Sequence, residues 1–260
     1  MRVLEILEKI NDAKKDLEFL PTGIATIDQG LDGGFIKSEL IVLGAFTGIG
    51  KSYLAAQIMY NIAKKGFNTG YFSLEITNEM IISRLIGQLA NVKSIKVVTG
   101  NMHEFEYNKK LVAEGKIIGY EKFMDFHDDI YEYSKIEQTI RDSNYEFIVI
   151  DFIQNIFVKG MNEYERLSFI ALSLQKLAKE KKCCILLLSQ LSNMAARSRD
   201  DSPLLEYKGS GSIATVCDLG FILVRDFDLG IMNLGLRKNR RGASGISWQL
   251  SFGGEGGQII

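Results

Sequence analysis

The chain has little that would advertise a partner from a distance. Its 31 basic residues stand against 32 acidic ones among 260, a formal net charge of -1. No overall positive field marks a nucleic-acid binder, so any contact with a polyanion has to be local. Cysteine is scarce: Cys183, Cys184 and Cys217 are odd in number, lack ligand spacing, and two of them stand inside an apolar run. They read as buried thiols in a reducing cytoplasm. No apolar stretch reaches the roughly 18 residues that span a bilayer, and the N-terminus carries acidic residues every few positions, which predicts a soluble intracellular protein with no membrane partner. Proline is down to two residues, and with 46% hydrophobic side chains the chain can bury one substantial core, so a single main domain is expected.

What is present is patterned. Val3, Ile6, Leu7, Ile10, Ala13 and Leu17 share one stripe, which predicts an amphipathic helix over residues 3–17. Leu20-Pro21-Thr22-Gly23 then breaks the helical pattern, so residues 1–20 read as an appended helix and residues 21–260 as the body. From Leu40 onward, apolar runs alternate with helical stretches. Strands are expected at Leu40 to Ala45, Gly70 to Leu74, Phe147 to Asp151 and Cys184 to Ser189, with helices from Ser52, Asn78 and Glu163. This alternation predicts an α/β fold with a mainly parallel sheet covered on both faces. Gly220 to Arg225, Ile231 to Arg237 and Ile246 to Phe252 are strand-like with short breaks, which predicts antiparallel additions at the C-terminal edge.

The first buried strand runs into Gly44-Ala45-Phe46-Thr47-Gly48-Ile49-Gly50-Lys51-Ser52 and then a helix. A phosphate-binding P-loop needs backbone N–H groups around phosphate oxygens at a helix N-terminus, a lysine beside the outer phosphates, and a hydroxyl for magnesium. Gly48, Gly50, Lys51 and Ser52 supply these, within a cradle running through Thr47, Gly48, Ile49, Gly50, Lys51, Ser52 and Tyr53. The second strand delivers Glu75 to its C-terminal end, where ligands bind in such sheets; this carboxylate either orients an attacking water or caps the helix near Asn78. Four apolar residues precede Asp151, the expected form of a strand presenting a carboxylate to magnesium. Gln190, at the end of the fourth strand, is either a sensor of the terminal phosphate or a simple loop amide. Two later segments carry positive charge, Tyr207 to Ile213 and Arg237 to Gly242. Each is either a solvated face or a contact with phosphate, and glycines beside Lys208 allow close backbone approach to a phosphodiester.

Taken together, these segments resemble the RecA-like motor domain of the DnaB-type replicative helicases from about Thr22 to the end, in a phage-like or truncated form. The family's opening is matched by Thr22-Gly23, Asp28 and Gly33-Gly34, and alanine at the first P-loop position, Ala45 here, is common in bacterial members. Ser73-Leu74-Glu75 is similar to the family's catalytic glutamate motif, Asp151-Phe152-Ile153-Gln154 to its Asp-Tyr-Leu-Gln, and Ser189-Gln190-Leu191 to its sensor. Ser210-Gly211-Ser212-Ile213, Asp218 and Leu223-Val224-Arg225-Asp226 resemble its DNA-loop helix and succeeding strand. Lys238 to Gly245 resembles its Lys-x-Arg-x-Gly-x-x-Gly signature. Departures are Lys208 where many members have arginine, Gly209 where many have glutamate, and Asn193 where bacterial members often carry arginine.

The resemblance implies ATP and Mg2+ as cofactors, with Ser52 and Asp151 on the metal and Glu75 as the base. It also implies a homo-oligomeric, hexameric ring in which Lys238 and Arg240 reach the neighbour's ATP while Arg241 takes a variable slot. Single-stranded DNA would meet Lys208, Gly209, Ser210 and Gly211. The helix of residues 3–17 resembles the family's linker helix, which packs on an adjacent subunit. A primase or helicase loader as partner, and the cytoplasm of a bacterial or phage-infected cell, complete the implied setting. A RecA-like ATPase of another kind, such as a recombinase or clock-type ATPase, and a non-enzymatic loader or binding module are the rival readings.

Overall fold

Apolar runs of five to seven residues bounded by polar turns satisfy their backbone groups by pairing side by side. The computed structural model describes residues 3–5, 7, 18–191 and 211–260. In it β1 (Phe19–Leu20) and β2 (Phe35–Ile36) form a small antiparallel pair. The main sheet has nine strands: β3 (Leu40–Ala45), β4 (Thr69–Ser73), β5 (Met124–His127), β6 (Phe147–Asp151), β7 (Cys184–Gln190), β8 (Leu219–Asp226), β9 (Ile231–Asn239), β10 (Ile246–Gly253) and β11 (Gln258–Ile259). Their order across the sheet is β11-β10-β9-β8-β3-β7-β6-β4-β5.

Strands β8, β3, β7, β6, β4 and β5 run parallel, and β9, β10 and β11 are antiparallel additions. The first of the three C-terminal strands therefore differs from expectation. β8 lies parallel to β3 in the sheet interior, reached by a crossover from β7, and the antiparallel edge begins only at β9.

The segment ahead of β3 is stapled to itself. Asp28, on the short helix α1 (Ala25–Gly30), accepts from Thr22 N and Thr22 Oγ1 at 2.7 Å each and from Gly23 N at 3.0 Å. A Cβ at Gly34 would meet Leu20 O at 2.7 Å, at a φ of +111°, so the glycine is required by close backbone approach.

Side chains alternate between two packed layers, as the period of a strand requires. Ile41, Leu43, Tyr71, Val149 and Leu186 face one core with α2 (Lys51–Ala63) and α3 (Asn78–Ala90). Leu40, Val42, Phe72, Ile148 and Ile185 face the other with α6 (Tyr133–Asp142) and α7 (Glu163–Lys181). Every β3 residue is buried, at about 1.5–3 kcal/mol for each leucine, isoleucine or valine side chain. The loop that follows is thus anchored to a rigid strand end.

Sequence periodicity did not place β5, α4 (Ser94–Thr99), α5 (Glu104–Ile118) or α6. β5 is a free edge strand whose Asp125 and His127 break the apolar run, and α6 carries few apolar residues beyond Tyr133, Ile136 and Ile140. Of the N-terminal helix, residues 3–5 and 7 are helical, with Val3, Leu4 and Leu7 exposed; Ile6 and the stretch 8–17 lie outside the described residues. Among the described residues no helix is long and apolar enough to cross a membrane.

Candidate nucleotide-binding site

The carboxyl ends of β3, β4, β6 and β7 converge on one cleft of about 330 Å3, bordered by the Thr47 to Tyr53 loop, Glu75, Arg84 and Gln190. The loop leaves β3 and turns into α2 through Gly50, whose φ of 114° is left-handed. A Cβ there would crowd only the flexible end of the Met232 side chain, 2.5 Å from Cε, so it is the backbone that favours glycine. The helix N-terminus that follows presents its unsatisfied N–H groups and positive dipole end to the cleft.

Lys51 Nζ donates to Ala45 O at 2.9 Å and Phe46 O at 3.3 Å. Burial lowers its pKa, against the charges of Asp151 and Glu75, which pull it up. Asp151, 1% exposed, accepts from the Tyr71 hydroxyl at 2.8 Å through Oδ2. Burial raises its carboxyl, while the Ser52 and Tyr71 hydroxyls and the Lys51 and Arg84 charges hold it down. Its other oxygen, Oδ1, is buried with no hydrogen-bond partner. An orphaned carboxylate oxygen near a serine hydroxyl is a donor set that suits a hard divalent cation, so Ser52 and Asp151 fit magnesium.

The turn bearing Glu75 is held from both sides. Leu74 N donates to Asp151 O at 2.7 Å, Asn155 donates to Leu74 O at 2.8 Å, and Ser73 Oγ donates to Ile76 O at 2.5 Å. Glu75 lines the cleft rather than closing α3. Thr77 is that helix's N-cap, and Asp128 accepts from Asn78 N at 2.8 Å. Gln190 donates to Thr47 Oγ1 at 2.8 Å, and Gln154 locks the same strand end by donating to Ser189 Oγ and accepting from Gln190 N. Tyr53 faces the cleft, whereas the Ile49 side chain packs against the core, leaving only its backbone to face a ligand.

Arg84 and Tyr71 belong to this cleft region and were not singled out from sequence, and Phe152, which lines the cleft, stood there only as part of the motif that begins at Asp151. Arg84 sits on α3 with its guanidinium 5.1 Å from the Tyr53 ring centroid, and its charge is felt at Asp151. Its spacing of three after Ile81 and four before Gln88, both buried, puts it on the inward face of α3. A cation on an otherwise buried face was the available signal.

Lys238 and Arg240 lie elsewhere. β9 runs antiparallel to β8 with Gly220 opposite Lys238, and Arg240 N donates to Asp218 O while Asp218 N donates to Leu40 O. Arg240 therefore stands at the amino end of β3, and Lys238, whose backbone is level with Val42, turns its Nζ toward the same end onto Ala214 O and Thr215 O, while the loop begins at the carboxyl end. At about 3.3 Å per residue, the six-residue strand alone separates Arg240 from the loop by roughly 17 Å. Asn193, Lys208, Gly209 and Ser210 lie outside the described residues; Gly211 opens the short helix α8 (Gly211–Val216).

A largely parallel sheet with a glycine-bordered loop running into a helix, and a buried aspartate on a neighbouring strand, defines the class: a P-loop α/β domain of the RecA-like kind. The family model described as DnaB-like helicase C terminal domain matches residues 20–257, and the chain belongs to that family. It is 29% identical over 229 residues to the replicative DNA helicase DnaC of Bacillus subtilis, covering 85% of this chain and 50% of that protein. It is 30% identical over 253 residues to the replicative DNA helicase DnaB of Treponema pallidum, covering 92% of this chain and 56% of that protein. The chain thus spans about half the length of the curated relatives it matches. The fold is similar to a solved ATPase domain, with a TM-score of 0.83 at 22% identity, covering 99% of this chain and 96% of that one. It is also similar to a DnaB-like replicative helicase solved in a study of its interactions with primase, with a TM-score of 0.85 at 21% identity, covering 99% of this chain and 65% of that one.

Proposed function

We propose that the chain is the motor portion of a replicative DNA helicase, which binds ATP and Mg2+ on the Thr47 to Tyr53 loop and assembles as a ring of identical subunits, six in number. Hydrolysis draws single-stranded DNA through the ring and parts the duplex. The observation that carries this reading is the separation, within one chain, of Lys51 from Lys238 and Arg240 at opposite ends of β3. Cations that cannot serve their own chain's cleft are suited to serve the next one in a head-to-tail ring.

In this reading Lys51 and the loop amides bind the phosphates, and Ser52 and Asp151 hold magnesium. The bound metal supplies charge neutralisation at phosphoryl oxygens. Glu75 orients and deprotonates the attacking water. Gln190, tied to Thr47, stands beside the terminal phosphate, and Lys238 and Arg240 of the adjacent subunit stabilise charge on the transferred phosphoryl group. Lys208, Gly209, Ser210 and Gly211 contact the strand in the channel, a salt-dependent term that a net charge of -1 accommodates because only the channel need be positive.

Two uncovered apolar surfaces support assembly. Val3, Leu4 and Leu7 are exposed on the N-terminal helix, and Phe105 and Val112, seven residues apart on one face of α5, are exposed at another place; patches of this kind mark interaction sites. A primase or helicase loader is the further partner proposed, in the cytoplasm of a bacterial or phage-infected cell.

Mixing tests the reading. Lys51→Ala protein, inactive alone, and Arg240→Ala protein, reduced to a small residual rate, are expected to recover part of the ATPase activity and of strand displacement on a forked duplex when combined, because some interfaces then carry two intact halves. No recovery in rings shown by mass to be mixed would sink the trans assignment.

A further inference from the structure

Asp218 stands where α8 hands over to β8, and it is 8% exposed. One carboxylate oxygen accepts from Leu40 N at 2.9 Å, the first residue of the strand that carries the P-loop at its far end. The other accepts from Arg240 Nη1 at 2.9 Å and from Gln175 Nε2 at 3.3 Å. The backbone repeats the tie, with Asp218 N donating to Leu40 O and Arg240 N donating to Asp218 O.

The carbonyls of α8 hold the cations from the other side. Arg240 Nη2 donates to Thr215 O at 3.2 Å, and Lys238 Nζ donates to Ala214 O at 2.8 Å and to Thr215 O at 2.5 Å. The last carbonyls of a helix are unpaired within it and carry its negative dipole end, so cations settle there. A guanidinium has more N–H donors than these contacts use, and the Arg240 side chain remains 45% exposed. It can keep its grip on Asp218 and Thr215 while offering further N–H groups outward.

We propose that Asp218 is a positioning residue for ATP hydrolysis in the neighbouring subunit: it fixes the Arg240 guanidinium against β3 and the end of α8, pre-aimed at that subunit's phosphates. The inference rests on the trans reading of Arg240 above. Long cationic side chains lose several rotamers when they engage a ligand, and a buried carboxylate that has already ordered the guanidinium removes that cost from the transition state. Because the cations also rest on the carbonyls of α8, the helix that opens at Gly211, a shift of this helix moves both of them together.

The test is steady-state ATPase of the full chain with single-stranded DNA. Asp218→Asn is expected to lower kcat about 10-fold with KM for ATP unchanged, the pattern of an interaction made only in the transition state. The double variant Asp218→Asn/Arg240→Ala should be no slower than Arg240→Ala. In mixed rings, Asp218→Asn should recover activity with Lys51→Ala but not with Arg240→Ala, because it damages the same half-site as the latter. A raised KM with kcat preserved, an additive double variant, or recovery with Arg240→Ala would each overturn the proposal. If Arg240→Ala and Lys51→Ala themselves fail to complement, the trans reading falls and takes this one with it; if they do complement and Asp218→Asn with Lys51→Ala does not, only the positioning role is lost. Should the Asn protein not fold, Asp218→Glu keeps the charge but moves it by one methylene. It should fold and lose about 3-fold in kcat; full wild-type turnover would overturn the role.

Discussion

At the carboxyl end of the sheet Asp151 is buried with Oδ1 unpaired, while at the amino end of β3 Asp218 has both carboxylate oxygens bonded, by Leu40, Arg240 and Gln175. The two aspartates are alike in burial and opposite in satisfaction. A buried polar atom left unpaired costs free energy that a ligand can recover, whereas a fully paired one holds other groups in place. The carboxyl end is thus built to receive something, and the amino end to hold something out.

The largest effect expected on this contrast comes from Lys51→Ala. It removes the charge of the receiving end, and calorimetry should detect no ATP binding; unchanged affinity would take the phosphate site away from this loop. Glu75→Gln separates binding from chemistry within the same cleft. It should bind ATP normally and turn it over at least about 100-fold slower, the scale of a lost general base. Near-normal turnover would leave the exposed carboxylate with no role beyond the rim of the cleft.

How much of this contrast could be read from the sequence differs between the two ends. The receiving end is local: Leu40 to Ser52 is one continuous strand, loop and helix, and Phe147 to Asp151 ends where predicted. Chemistry that resides in consecutive residues survives in the sequence. Arg84 left only a faint trace, a cation on an otherwise buried helix face, and Tyr71 none, because their roles depend on which faces of α3 and β4 turn toward Asp151. At the other end, Lys238, Arg240 and Arg241 form one basic run by charge, and only the family resemblance set Arg241 apart, without saying what any of the three would touch. Their division between partners comes from the pairing of β9 with β8 and the irregularity between Gly220 and Phe221, which no local pattern encodes. The parallel setting of β8 was lost for the same reason, since a strand's direction belongs to its neighbours.

The burial of Asp151 has a pH signature. Its folded pKa is raised, chiefly by burial, so the native protein binds a proton that the unfolded chain has already released. Stability attributable to this group is therefore present below the ordinary carboxylate range and lost as pH rises through that range to the raised value. Asp151→Asn removes the charged form. It is expected to raise the melting temperature of nucleotide-free protein by a few degrees at pH 8 (about 2–4 °C per kcal/mol at this size), with the difference shrinking as pH falls toward 4. Magnesium-dependent ATP stabilisation should disappear in the same variant. A lower melting temperature at pH 8 would mean that the Asp151 charge, set against Lys51, stabilises the empty cleft, and the contrast with Asp218 would be wrong.

The smallest effect on turnover, and the one that divides the basic run most sharply, belongs to Arg241. Like Lys238 and Arg240 it bonds within its own chain, but to Glu39 and Gly34 rather than to Asp218 and the carbonyls of α8. Its guanidinium pairs with Glu39 through Nε at 2.6 Å and again through Nη2, and Nη1 donates to Gly34 O at 2.9 Å, with the side chain 21% exposed and that of Glu39 13%. Partly buried, charge-assisted bonds of this kind contribute about 1–3 kcal/mol, because truncation strands the partner carboxylate. Arg241→Ala should therefore lower the stability read from urea unfolding by that amount while leaving kcat within about 2-fold of wild type, since the contacts of Lys238 and Arg240 do not run through Arg241. A loss of turnover as deep as that of Arg240→Ala, with stability unchanged, would reassign the outward-reaching cation to Arg241 and leave Arg240 as the structural partner of Asp218.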